Sequence, residues 1–235
     1  MIGLIDGDVV AYRAAYLAQG GDDQDVRDLV QAIASTWVEE AGADSCVVCL
    51  GSKPTFRHRI FDQYKANRGE KPEMLPACIA ALEELFVCLR MPDLEADDAL
   101  GILATGKYKG RSVIISIDKD LLQIPGSHYN PDKERHTIVS DEDGFYLLCQ
   151  QWLSGDTVDN FKGVPRVGEK TAKKLLGDSP SLERVKEVYD EKDLDHDYFL
   201  LQGRLARILT ADNCDDPESW EPELKPSTRS ENIEC

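Results

Sequence analysis

The feature that constrains this chain most is a set of short aliphatic runs that each stop at an acid. Ile2 to Ile5 runs into Asp6, and Val113 to Ile117 runs into Asp118. Such runs have the length of a buried strand rather than of a buried helix, and Val47 to Leu50 makes a third. Helical patterns lie between them. Val9 to Tyr16 reads as one helix, and Leu29, Val30, Ile33, Trp37 and Val38 share a face at helical spacing. After a polar, basic stretch from Lys53 to Lys71, the residues Leu75, Ile79, Leu82, Phe86 and Leu89 repeat the pattern, and Glu95 opens a further helix. Strands alternating with helices predict an α/β fold, a central, mostly parallel sheet with helices on both faces. Ligands bind such sheets beyond the carboxyl ends of the strands, where the strand order reverses. Asp6 and Asp118 stand at such ends.

Beyond Gln150 the pattern is helical, with helices expected near Lys170 to Leu176, Leu182 to Val188 and Phe199 to Leu209. This divides the chain into an α/β core over 1–150, a helical subdomain over 151–214 and an acidic tail over 215–235. Pro217, Pro222 and Pro226 mark that tail as loosely ordered. A length of 235 residues is enough to bury a substantial core. No apolar run reaches membrane-spanning length and the amino terminus does not have the pattern of a signal peptide, so the expectation is a cytoplasmic monomer with no membrane partner. Seven cysteines at irregular spacing are expected to be reduced thiols. Cys46 and Cys49 form a CxxC, but within the apolar run CVVCL and with no second pair to complete a zinc set, so they read as core.

Acids recur at four element boundaries: Asp6 in LIDGD, then Glu95, Asp97 and Asp98, then Asp118 and Asp120 in SIDKD, then Asp156 and Asp159 in GDTVDN. Singly, each has an ordinary explanation as a cap, a turn residue or a complement to a helix dipole, and Asp8 reads best as a cap of the helix it opens. Brought together they could not all stay ionised without a positive partner. An all-oxygen set suits two magnesium or manganese ions, the arrangement that stabilises both the attacking and the leaving oxygen of a phosphoryl displacement. Two basic constellations accompany the acids. Tyr64-Lys65-Ala66-Asn67-Arg68 follows Arg57 and Arg59, and on a helix Lys65 and Arg68 would hold one phosphate between them. Gly163-Val164-Pro165-Arg166-Val167-Gly168 leads into Glu169-Lys170-Thr171-Ala172-Lys173-Lys174, a glycine turn before a basic helix whose backbone N–H groups suit a phosphate. The formal net charge of −17 opposes nucleic acid at long range, but salt limits that opposition to about 10 Å and leaves local basic patches effective.

The strings LIDGD, FRHRIFDQYKANR, EADD, SIDKDLLQI and GDTVDNFKGVPRVGEKTAKKLL resemble, in order and spacing from Met1 to Leu176, the 5′-3′ exonuclease and flap endonuclease family. That family includes bacteriophage exonucleases and the amino-terminal nuclease domain of bacterial DNA polymerase I. The resemblance implies a PIN-like 5′ nuclease with a helical arch near 64–90 and a helix-three-turn-helix motif in the carboxyl-terminal subdomain. It implies metal binding by Asp6, Glu95, Asp97, Asp98, Asp118, Asp120, Asp156 and Asp159, and catalysis by Lys65, Arg68 and Asp118. It implies contacts to DNA from Arg57, Tyr64, Lys65, Arg68, Gly163, Val164, Gly168, Lys170, Thr171, Lys173 and Lys174, with a potassium ion at the motif. The expected activity is metal-dependent hydrolysis of DNA near 5′ ends or flap junctions, in replication or repair, in a host cytoplasm if the chain is viral. One position departs from the pattern: where many members carry an acid after the second strand, Cys49-Leu50-Gly51-Ser52 offers none. Two other readings compete. Asp6-Gly7-Asp8 also resembles the opening motif of aspartyl-phosphate phosphatases, with Asp6 as nucleophile. The missing acid would also suit a structure-specific DNA-binding protein with impaired catalysis.

Overall fold

The computed structural model describes residues 1–224. Six strands form one sheet: β1 (Ile2–Asp6), β2 (Ser45–Leu50), β3 (Cys88–Arg90), β4 (Ser112–Ile115), β5 (Gly126–Asn130) and β6 (Arg135–Val139). Their order is β3-β2-β1-β4-β5-β6. All neighbours are parallel except the β5-β6 hairpin. The chain builds outward from β1 to β3, then returns to the other side of β1 to lay down β4. The reversal therefore falls between β1 and β4, which places Asp6 and the residues after Ile115 at the crevice where such sheets bind ligands.

Helices cover both faces, and strand alternation decides which residue meets which layer. Ile5, Val48, Leu50, Val113 and Ile115 point to one face. They pack against α1 (Gly7–Leu17), α2 (Asp23–Glu40) and α4 (Leu75–Leu85) through residues such as Val10, Val30, Trp37 and Leu82. Leu4, Cys49 and Ile114 point to the other face and meet Ala99, Leu100 and Leu103 of α5 (Ala96–Thr105). Cys49 is thus a core residue, and the six described cysteines, Cys46 among them, are free thiols. Among the described residues no helix is long and apolar enough to cross a membrane.

Several differences from the sequence reading have simple causes. The pattern through Leu75 and Leu82 stops at Leu85, and Leu89 belongs to β3, whose short length left it looking like another helical turn. Because α4 packs on α1 and α2, only the turns of about 61–74 remain to cross the site from the region expected to form an arch. β5 and β6 went unpredicted because GSHYN and RHTIV are too polar to read as buried strands. Position 150, the expected subdomain boundary, lies inside α6 (Asp141–Ser154). The end of that helix (Cys149, Trp152, Leu153) enters a separate apolar cluster with α7 (Glu169–Leu176), α8 (Leu182–Asp190) and α9 (His196–Ala206). The first part of the expected loose tail is also tied down: Trp220 packs on this cluster beneath the Arg207 guanidinium, 4.2 Å from its ring centre, and its carbonyl accepts from Arg204. The remainder, 225–235, lies outside the described residues.

The helical cluster is fastened to the sheet by a buried ion pair. Arg57, in the short helix α3 (Phe56–Ile60), donates two hydrogen bonds to Asp98 of α5, at 2.7 and 2.8 Å. The same guanidinium donates to the carbonyl of Arg207 at 2.7 Å, and Asp98 accepts from the Leu209 amide at 3.1 Å. Three distant segments therefore meet on two charges that are almost wholly removed from water. Removing one partner of such a pair leaves an uncompensated buried charge. Asp98→Ala is expected to lower stability by about 3–5 kcal/mol in urea unfolding, and a loss below about 1 kcal/mol would show that the pair does not fasten the two parts.

Candidate active site

Asp6 ends β1 and caps α1: its Oδ1 accepts the Val9 amide at 3.1 Å and its Oδ2 accepts the Ser116 hydroxyl at 2.8 Å. Ser116, directly after β4, also accepts the Asp118 amide at 3.0 Å, so one hydroxyl ties together the acids of both strand ends. Asp118 in turn accepts the amide of Asp120, and Asp120 accepts from Gln151 of α6. Across the crevice, Glu95 caps α5 and Asp97 sits in its first turn. Asp156 folds the loop after α6 by accepting the amides of Val158 and Asp159.

Two adjoining cavities receive these acids. One, of about 850 Å³, is lined by Asp6, Asp8, Glu95, Asp97 and Asp118 together with Tyr12, Lys53 and Arg90. The other, of about 490 Å³, is lined by Asp97, Asp118, Asp120, Asp156 and Asp159. Lys65, Arg68, Glu95, Asp97 and Asp118 border both. Lys65 is held there by an unusual backbone. Its φ is +55°, its amide donates to the Asp159 carbonyl, and its ammonium pairs with Glu95 and lies 3.4 Å from Asp159. Left-handed backbone is unfavourable for a residue with a side chain, so this aim is maintained by its surroundings. Asn67 donates to the Thr157 carbonyl and Asn160 to that of Gln63, clasping the two loops together. Lys65 and Arg68 thus converge on Asp159 from a series of turns rather than from the helix the sequence suggested, with Arg68 2.8 Å from Asp159.

Burial and mutual repulsion set the charge state. Burial first, then the charge of Asp8, pushes Asp6 up to about 7. Burial together with Asp6 and Asp118 holds Asp97 well above the usual carboxylate range, and burial with Asp118 and Asp156 brings Asp120 to about 6. Glu95 goes the other way. Burial would raise it, but Lys65 and Arg57 outweigh burial and bring it to about 2. Burial likewise opposes the charge on Lys65, and Glu95 and Asp159 overcome it, so the lysine is held protonated.

Several of the expected site residues are engaged within the fold. Asp98 is turned into the core onto Arg57 and away from the cavities, because the third position of a helix start faces inward here, while Asp97 beside it faces the crevice. Arg57 pairs with Asp98 and with Glu95, and it borders the smaller cavity. Tyr64 is buried in the helical cluster at the wall of the smaller cavity, and its hydroxyl reaches Glu95 and Asp159, both at 2.9 Å, so it braces the acids. In the glycine turn, the Gly163 amide donates to Gln202, its carbonyl accepts from Tyr198, and Val164 is packed in the core. Both amides are engaged within the fold, that of Val164 by the Leu153 carbonyl. Gly163 is needed for another reason: its φ is +56° and a Cβ there would stand 2.4 Å from the amide of Gly155. Gly168, Lys170, Thr171, Lys173 and Lys174 are exposed around the start and outer face of α7. Nor is a single joint cradle preformed. Among the described residues no three His, Cys, Asp or Glu side chains make a metal-binding group, and Glu95 and Asp159 are already paired with Lys65 and Arg68. Ser116 and Gln151 escaped the sequence reading, although Ser116 begins the SIDKD string and its place directly after a strand was a usable signal.

The sequence matches the family described as 5′-3′ exonuclease, N-terminal resolvase-like domain, over residues 1–145. The chain belongs to this 5′-3′ exonuclease family. The thermostable DNA polymerase I of Thermus aquaticus is 33% identical over 237 aligned residues, covering 88% of this chain, which spans only 28% of that polymerase. The 5′-3′ exonuclease of Buchnera aphidicola is 32% identical over 155 residues, 59% of this chain and 54% of its own length. Among solved structures, the D15 flap endonuclease of bacteriophage T5, in a complex with DNA and metal ions, aligns with a TM-score of 0.69 over 92% of this chain and 91% of that one. At 15% identity that likeness is one of fold, and it covers the helical cluster as well as the sheet.

The raised carboxyl groups give this exonuclease-family site a pH signature. Asp6 binds its proton more tightly folded than unfolded, where its ordinary value is 3.8, so the metal-free protein loses stability as pH rises from about 4 to about 7. Asp6→Asn keeps an N-cap and removes that penalty. In chelator, the stability of Asp6→Asn relative to wild type is expected to grow across this window, by on the order of a few kcal/mol, and to level off above it. A pH-independent difference between the two would show that Asp6 does not titrate there.

Proposed function

We propose that this protein is a divalent-metal-dependent hydrolase of DNA phosphodiesters, acting near 5′ ends or flap junctions. The observation that carries the reading is the line of acids along the carboxyl ends of β1 and β4, bordering two cavities at whose junction Lys65 and Arg68 stand. The donor set is oxygen-only and too negative to ionise fully unaided, which fits hard divalent cations such as magnesium or manganese. Asp6, Asp97 and Asp118 would hold one and Asp118, Asp120, Asp156 and Asp159 the other. Bound there, two such ions would supply activation of the attacking water and charge neutralisation at the leaving oxygen.

The chain's own residues supply the rest. Lys65 and Arg68, now paired with Glu95 and Asp159, would exchange those partners for the scissile phosphate and stabilise the charge it develops. Ser116 bonds the Asp6 carboxylate and the Asp118 amide, and Gln151 bonds the Asp120 carboxylate, so these residues are positioned before substrate arrives. The exposed amino terminus of α7 with Lys170, Lys173 and Lys174 would grip duplex backbone, the part of a helix-three-turn-helix motif, through contacts that read shape rather than sequence. A potassium ion could join that turn, since the Gly163 and Val164 carbonyls accept bonds from Tyr198 and Val167 and each oxygen keeps a second lone pair. The phosphatase alternative loses support because Asp6 is buried with both oxygens engaged, a poor state for a nucleophile.

A labelled 5′-flap duplex with magnesium tests the reading. Wild type is expected to cut it and to stop when chelator is added, while Asp118→Asn binds the duplex but leaves it intact, a loss of about 100-fold or more. Turnover that survives chelator, or full activity in Asp118→Asn, would overturn the mechanism.

A further inference from the structure

The carboxyl end of β2 carries no acid of its own, since Leu50 is followed by Gly51 and Ser52. An acid nevertheless stands there. Asp8, in the first turn of α1, reaches across to β2, where its Oδ1 accepts the Gly51 amide at 3.3 Å. A Cβ built on Gly51 would lie 2.9 Å from Asp8 Oδ2. The Asp8 carboxylate therefore fills the space into which a side chain at position 51 would project. This is not helix capping. Asp6 already serves that role for α1 through the Val9 amide, and the bond made by Asp8 goes to a different element.

The cations nearest Asp8, Arg90 and Lys53, favour its charge from a distance, and neither is among its hydrogen-bond or ion-pair partners. The Arg90 guanidinium is engaged by the Gly51 carbonyl and by Glu83, at 2.8 Å for the latter, and Lys53 lines the cavity wall. Asp8 and Gly51 both border the larger cavity, as do Asp6, Glu95 and Asp97. We propose that Asp8 is a divalent-cation ligand of this cavity, presented from α1 in the place that a side chain on residue 51 would otherwise occupy. The proposal rests on the two-cation reading above. It makes Asp8 and Gly51 one unit: the glycine supplies the room and the amide, and the aspartate supplies the charge.

The unit can be turned round. In Asp8→Ala the space beside residue 51 is vacated, and adding Gly51→Asp to that variant returns a carboxylate to it from the β2 side. Manganese is titrated calorimetrically into the intact, metal-free protein, with no substrate present. Asp8→Ala is expected to weaken binding about 10- to 100-fold. Asp8→Asn, which can still accept from the Gly51 amide, is expected to weaken it as well, and Asp8→Ala/Gly51→Asp to recover most of the lost affinity. Wild type that takes up no manganese would overturn the metal reading and this assignment with it. Wild type that binds, beside an Asp8→Ala that binds equally well, would overturn the assignment of Asp8 alone. A weakened Asp8→Ala that Gly51→Asp does not rescue would overturn the claim that the carboxylate is needed at the end of β2.

Discussion

Negative charge gathered at the reversal point of the sheet is the constraint around which the rest of this molecule is arranged. Asp6, Asp97 and Asp120 each sit where burial and a neighbouring carboxylate oppose ionisation. The surroundings answer with cations from distant parts of the chain. Arg57 neutralises Asp98 and part of Glu95 from α3, while Lys65 and Arg68 neutralise Glu95 and Asp159 from the turns that follow. The left-handed Lys65, the clasped loops at 63–67 and 157–160 and the buried Tyr64 hydroxyl are local devices that keep these cations in place.

The same ion pairs couple the two parts of the fold. Asp98 and Arg57 carry the chain after α9 onto the sheet, and Gln123, between β4 and β5, donates to the Ala206 carbonyl and accepts from the Ile208 amide. Asp156 and Asp159 depend for their position on α6, whose end belongs to the helical cluster, whereas Asp6 and Asp118 depend on the sheet. Acids from both parts line the smaller cavity.

What was legible in the sequence follows from which signals are local. β1, β2 and β4 are flanked on both sides and buried on both faces, so they read as continuous aliphatic runs, and the acids at their ends were visible as punctuation. β6 is an edge strand, with Ile138 75% exposed, and its composition carries little of that signal. Among the acids, sequence found the right boundaries but not the facing of each side chain. Asp97 and Asp98 are adjacent, yet one looks into the cavities and the other into the core, a distinction set by the rotation of α5 against Arg57 and Leu209. The glycine string was recognised, but its first glycine and valine serve the turn's interior, since Gln202 and Tyr198 reach them from α9, far along the chain. Asp8 could be assigned only once Gly51 was seen beside it, because no pattern within either strand or helix relates the two.

The central claim is that repulsion among these carboxyl groups is relieved by divalent cations, and proton release on metal binding measures that relief most directly. At about pH 6, where Asp6 is mostly and Asp120 about half protonated, manganese titrations in buffers of different ionisation enthalpy are expected to show protons leaving the protein as the metal binds, and fewer leaving at pH 8. Metal uptake with no proton release at the lower pH, or no uptake at either, would contradict the account.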